Sequence, residues 1–179
     1  MMLLQLGAKQ ESEDDVVGLL LGCHRRIRHF CGVARTLGLR ADLPDAEVQS
    51  ACDAVLRYFT LALPLHVEDE EQSIVPRLLA HAPALAPTLQ QMESQHARQE
   101  PLVEELVRAV IALRTSPQDA LARTSVARAA EALSRDFAEH LVMEEALLFP
   151  AIRRELSEAE QQEIRQEQRE RRRADPSGV

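Results

Sequence analysis

Apolar residues recur along this chain at alternating spacings of three and four, the signature of helices that bury one face. The first stripe is Val17, Leu20, His24, Ile27 and Cys31, in a segment expected to run from about Asp14 to Gly38. A second segment starts near Asp45 and aligns Cys52, Val55, Phe59, Leu63, His66 and Glu70; Pro64 falls inside it and is expected to kink the helix without ending it. HAPALAP, with Pro83 and Pro87, reads as a loop. A third segment, about Leu85 to Leu113, carries Leu89, Met92, His96, Glu100, Val103, Val107 and Val110. Ser116 followed by Pro117 reads as a helix start, and the fourth stripe is Val126, Ala130, Leu133, Phe137, His140, Glu144 and Leu147. Pro150 marks a bend, and Ser157-x-x-Glu160 reads as the capping box of a short fifth helix.

Four amphipathic helices joined by short connections pack best as an all-α, antiparallel, up-down-up-down four-helix bundle, here with a short extra C-terminal helix. The expected organisation is a flexible N-terminus over 1–13, the bundle over 14–155, and a charged C-terminal helix and tail over 156–179. Composition agrees: hydrophobic residues make up 45% but aromatics only 3%, so the apolar mass is Leu, Ala and Val, a mixture that favours helix over sheet. A net charge of -8 argues against nucleic acid as a partner, because phosphate binding needs a clustered basic footprint. The one basic stretch, QEQRERRR, reads as the solvated face of a terminal helix. Three cysteines in a chain this long suit a reducing cytoplasm better than a disulfide scaffold. MMLLQLGAKQESEDD lacks the form of a signal peptide, and no window approaches the ~20 apolar residues of a spanning helix. The expectation is a soluble, cytoplasmic protein that is not bound to a membrane.

The chemistry lies where the apolar stripes are interrupted. HVEDEEQSIVP begins at His66 and HLVMEEALLFP at His140, two copies of His-x-x-x-Glu-Glu-x-x-apolar-apolar-Pro. Each of the four helices carries a histidine on its inner stripe, and three carry a glutamate one turn later: His66 and Glu70, His96 and Glu100, His140 and Glu144. The i, i+4 spacing stacks both side chains on one face, and a bundle can bring the four faces to one level. Isolated carboxylates cannot stay charged in an apolar interior. A buried cation removes that cost, since ionised carboxylates and neutral imidazoles compensate its charge. A single His-x-x-x-Glu is ordinarily just a surface hydrogen bond; four histidines on four core stripes with three matched glutamates point to a metal. Structural zinc would favour thiolates and four ligands, whereas seven His and Glu groups suit two ions that share carboxylates.

These residues resemble those of the hemerythrin-like, HHE cation-binding domain proteins. The resemblance runs from CHRRIRHF through ALPLHVEDEE and SQHARQE to HLVMEEALLFPAI. It implies a non-haem di-iron centre, bridged by carboxylates and an oxo group, with His24, His66, His96 and His140 as terminal iron ligands and Glu70 and Glu144 as bridges. It implies O2, NO or peroxide as the small molecule met there. Two positions depart from the oxygen carriers of that family. Their third helix has a second histidine where this chain has Glu100, which tells against reversible O2 carriage. Their fourth-helix carboxylate comes five residues after the histidine, the place of Glu145 here, while the internal repeat favours Glu144. Three readings of function follow: a protein that binds or senses O2 or NO; an enzyme that reduces peroxide or NO or donates iron for iron–sulfur repair; or an iron buffer. Within this chain no appended signalling domain favours a sensor, and no cysteine-bearing recruitment segment favours repair.

Other prominent residues take ordinary readings. His29 and His81 are expected to face solvent, as is Glu71, the second glutamate of the first repeat. Cys31 and Cys52 are expected in the core, and Tyr58 beside it.

Overall fold

The computed structural model describes residues 15–174; the expected flexible segment 1–13, Asp14 and residues 175–179 of the tail lie outside the described residues. Helix α1 is Val16–Leu39. Helix α2 runs over 45–81 and α4 over 120–155, and both contain π-helical segments. Between them, after a 3-10 turn at Pro83–Leu85, comes α3, Ala86–Thr115, and the chain closes with α5, Glu158–Ala174. No strand occurs among the described residues. Helix α1 packs along α4, α4 along α3, α3 along α2, and α2 along α1, so the four long helices enclose a common interior.

Local chemistry explains where these helices begin. Asp15 caps α1 by accepting from the Gly18 amide at 2.6 Å. The fourth helix starts later than Ser116 and Pro117 suggest: those residues form a turn, and Asp119 is the cap, accepting from the Leu121 amide at 2.8 Å. The capping box of α5 forms as expected, with the Ser157 amide donating to Glu160 Oε2 at 2.9 Å and the Glu160 amide to Ser157 Oγ at 3.3 Å. Gly38 does not end α1, which continues to Leu39. It is instead the point where α1 meets α4, because a Cβ there would lie 2.5 Å from the Ala127 backbone nitrogen.

Pro64, Pro76 and Pro150 each follow a π segment, at Tyr58–Ala62, Asp69–Ile74 and Glu144–Leu148 respectively. Proline lacks an N–H and crowds the carbonyl four residues back, and a wider turn relieves that conflict. The expected kink at Pro64 thus takes the form of a π segment, while Pro101 sits in α3 without one. The extra residue also shifts the facing of the fourth stripe. Leu147, expected inside, is 50% exposed, and Leu148 is buried in its place.

The apolar interior falls into two clusters. One gathers Ile27, Phe59, Leu63, Leu106, Leu133 and Phe137; the other gathers Leu20, Ile74, Met92, Leu148, Ile152 and Ile164. In every one of the four long helices the stripe histidine falls between residues of the first cluster and residues of the second. A polar layer is thereby sealed on both sides by hydrocarbon. Ile164 of α5 belongs to the second cluster, so the C-terminal helix is packed onto the bundle.

Candidate metal centre

The interior layer holds His24 from α1, His66 and Glu70 from α2, His96 from α3, and His140 and Glu144 from α4, all buried. Their donor atoms form two groups: His24, His66, Glu70 and Glu144, and Glu70, His96, His140 and Glu144. Within each group the ligating atoms lie within 4.8 Å of one another. Both glutamates belong to both groups, and each divides its oxygens between them. Glu144 presents Oε2 to His24 Nε2 and Oε1 to His140 Nε2, each at 3.1 Å. Glu70 presents Oε1 to His66 Nε2 at 3.7 Å and Oε2 to His96 Nε2 at 3.4 Å.

The tautomers follow from what lies behind the rings. His24 Nδ1 is 2.8 Å from Glu145 Oε1, His96 Nδ1 is 2.8 Å from Glu71 Oε1, and His140 Nδ1 is 3.0 Å from Gln95 Oε1. An ionised carboxylate or an amide oxygen only accepts, so Nδ1 carries the proton and donates it. In the neutral ring, the form that ligates a metal, each Nε2 lone pair is then directed at a carboxylate oxygen that also has only lone pairs to offer. Accordingly both oxygens of Glu70 and of Glu144, with Nε2 of His24, His66 and His96, are buried without a hydrogen-bond partner. Such convergence of unpaired acceptors is costly unless a cation lies among them. The donor set, two imidazoles and two shared carboxylates in each group, fits two cations of borderline hardness.

Ionisation reports the same tension. Burial pushes the Glu144 carboxyl up to about 7, with the neighbouring Glu70 adding to it, and burial raises Glu70 as well. Burial drives His66 far down and His140 to about 3. His96 goes the other way, to about 9: burial opposes its charge, but Glu70 and Glu71 beside it prevail. Without a cation, carboxylates and imidazoles contend for protons; with one, both take the forms that ligate.

Six of the seven expected residues therefore come together, and Glu100 does not. From His96 the inward face of α3 steps three residues to Gln99, which is buried and donates to Asp136 at 3.1 Å. Glu100 points outward and lines a cavity of about 520 Å³ with Glu68, Glu71, Glu93, Glu104 and His96. Glu144 lies in the cluster, and Glu145 sits behind His24, where Arg28 also donates to it at 2.8 Å.

The residues that orient the rings were not foreseen. Glu71, expected to face solvent, and Glu145, the alternative to Glu144, are both partly exposed, yet each holds a histidine of another helix; the doubled glutamate in both repeats was the available signal. Gln95 carried none. Nor did the clamp beneath Glu70: Asp69 is fully buried and accepts from Arg171 at 2.8 Å and Arg172 at 2.6 Å. The basic end of α5, read as solvated, instead braces the segment that carries Glu70. His29 and His81 are exposed as expected, His81 within 2.6 Å of Glu160. Cys31, Cys52 and Tyr58 are buried, Tyr58 stacked on Phe30.

A helical protein whose interior unites four histidines and two carboxylates in overlapping groups is, by class, one built to hold metal cations. The hemerythrin HHE cation-binding domain profile matches residues 15–152, and the chain belongs to that family. It is also 30% identical over 88 residues to an uncharacterized protein of Haemophilus influenzae, an alignment covering 46% of this chain and 49% of the relative. The chain thus spans about half the length of that curated relative. No helix among the described residues is long and apolar enough to cross a membrane.

Proposed function

We propose that this chain is a non-haem di-iron protein, a bundle of up-down-up-down topology that binds or senses O2 or NO in the cytoplasm. His24 and His66 would hold one iron and His96 and His140 the other, with Glu70 and Glu144 offering an oxygen to each; Glu100 is outside the proposed ligand set. The observation that carries this reading is the division of each glutamate's two oxygens between the two histidine pairs. One cation would leave half of those donors unpaired, and a tetrahedral zinc would need only four of them. Bound iron would supply the redox chemistry and affinity for diatomic molecules that the side chains lack. The chain's own part is to fix the imidazole tautomers through Glu145, Glu71 and Gln95, and to keep the layer dry between two apolar clusters.

Metal analysis of protein grown with iron and purified aerobically is expected to give two irons per chain. His66→Ala is expected to abolish or halve that content. One zinc per chain, or iron content unchanged in the variant, contradicts the assignment. Stopped-flow mixing of the reduced protein then separates binding from turnover. Uptake of O2 or NO that reverses under vacuum supports the binding function, and sustained consumption of peroxide or NO contradicts it in favour of an enzyme.

A further inference from the structure

The two shared glutamates are held from different places. Beside Glu144, Glu145 meets His24 and Arg28 of α1. Beside Glu70, Glu71 meets His96 of α3, but Asp69 and Ser73 meet α5, outside the four long helices. Glu70 lies in the π segment Asp69–Ile74, whose wide turn closes with the Val75 amide donating to the Glu70 carbonyl. Arg171 spans that turn: Nη1 donates to Asp69 Oδ1 at 2.8 Å and Nη2 to Ser73 Oγ at 2.7 Å, while Arg172 donates to Asp69 Oδ2 at 2.6 Å. Asp69 and Ser73 are both fully buried, so a loss of the arginines would leave a buried carboxylate uncompensated. Little hydrocarbon fastens α5 itself: of its 17 residues, the buried ones are Ile164 and Gln168. Its other contacts include Glu163 and Glu167 with Arg77 and Glu160 with His81, all on the stretch of α2 that follows Glu70. Partly exposed pairs of this kind contribute little each, so the docking of α5 is shallow in free energy and easily shifted.

We propose that Arg171 and Arg172 are positioning residues for Glu70, and that docking of α5 is coupled to cation binding in the layer, so that α5 holds tightly over a filled layer and loosens over an empty one. Asp69 and Ser73 are one turn apart with Glu70 between them. The rigid guanidinium fork across them fixes how that turn is rotated, and with it the direction of the Glu70 carboxylate. Cations on Glu70 fix the same rotation from the inside. By linkage, whatever factor the clamp adds to cation affinity, the cations add to the docking of α5. The state of the interior thereby reaches the surface through α5. This deepens the sensing function above and rests on it for the cations; the clamp on Asp69 and Ser73 does not. Charge alone predicts the reverse sign, because removing two cationic side chains favours a cation nearby.

The test compares the full chain with R171A/R172A and with R173A, which removes the same kind of charge from an exposed position of α5. Iron(II) affinity, measured anaerobically by competition with a chromophoric chelator, is expected to fall about tenfold in R171A/R172A and to stay unchanged in R173A. Amide exchange in α5 of the wild type is expected to slow about tenfold on iron loading, and in R171A/R172A to be fast with or without iron. Affinity unchanged or raised in R171A/R172A, or an equal loss in R173A, overturns the coupling and leaves the metal reading intact. So does α5 exchange in the wild type that is indifferent to iron, a result that needs no variant to fold. A wild type that takes up no iron overturns both.

Discussion

At the residue scale, Glu71 and Glu145 do work that their exposure conceals. Their side chains are 38% and 32% exposed, as ordinary helix-surface glutamates are, yet each fixes the proton of a buried ring. Replacing such an orienting partner generally costs about 10–100-fold in metal affinity. E71Q and E145Q are therefore expected to fold normally and to weaken iron binding within that range, measured by competition with a chromophoric chelator; unchanged affinity would show that the rings are held by packing alone. E100A is expected to leave iron content unaltered, since Glu100 is exposed. Much of this site was legible in the sequence because histidine and glutamate on an apolar stripe violate the pattern they sit in. Glu100 misled because i, i+4 spacing defines a face only to within part of a turn, and α3 is oriented so that Gln99 takes the inward position.

Among the elements, π segments and the fifth helix are what periodicity could not express. A stripe drawn at spacings of three and four cannot register an inserted residue, which is why Leu148 replaces Leu147 in the core. Pro76 and Pro150, at corresponding places in the two repeats, were the trace of two of those segments, and Pro150 was read only as a bend. Helix α5 was read from its capping box and its charge, but neither disclosed its partners: Ser73 donates to Glu167, Arg77 bonds Glu167 at 2.7 Å, and Arg171 and Arg172 clamp Asp69. Arg77 and then Ser73 hold the Glu167 carboxyl below its ordinary 4.5. Because the folded form is depressed, its contribution is complete above pH 4.5 and is lost as pH falls through the lower folded value. Hydrogen exchange in α5 is expected to accelerate below that pH in the wild type; in E167Q this component should be absent. If wild type and E167Q respond to acid identically, Glu167 does not fasten α5. Gly38 gives a separate test of the α1–α4 contact. G38A is expected to destabilise the fold by about 1–3 kcal/mol in chemical denaturation, and an unchanged midpoint would mean that the helices part without cost.

For the whole molecule, two apolar clusters enclose a polar layer that is satisfied only when cations occupy it. Binding to the native state alone stabilises by about 2.7 kcal/mol at a hundredfold excess over Kd, so chelation should lower Tm by roughly 5–10 °C in a chain of this size. An unaltered Tm after complete removal of the metal would mean that the layer tolerates its unpaired acceptors. The central claim is narrower still: two irons share Glu70 and Glu144. Applied-field Mössbauer spectroscopy of the oxidised protein, loaded with isotopically enriched iron, tests it most directly. The expected result is two irons per chain, all in one spin-coupled pair; a single iron per chain, or two that are magnetically independent, would contradict it.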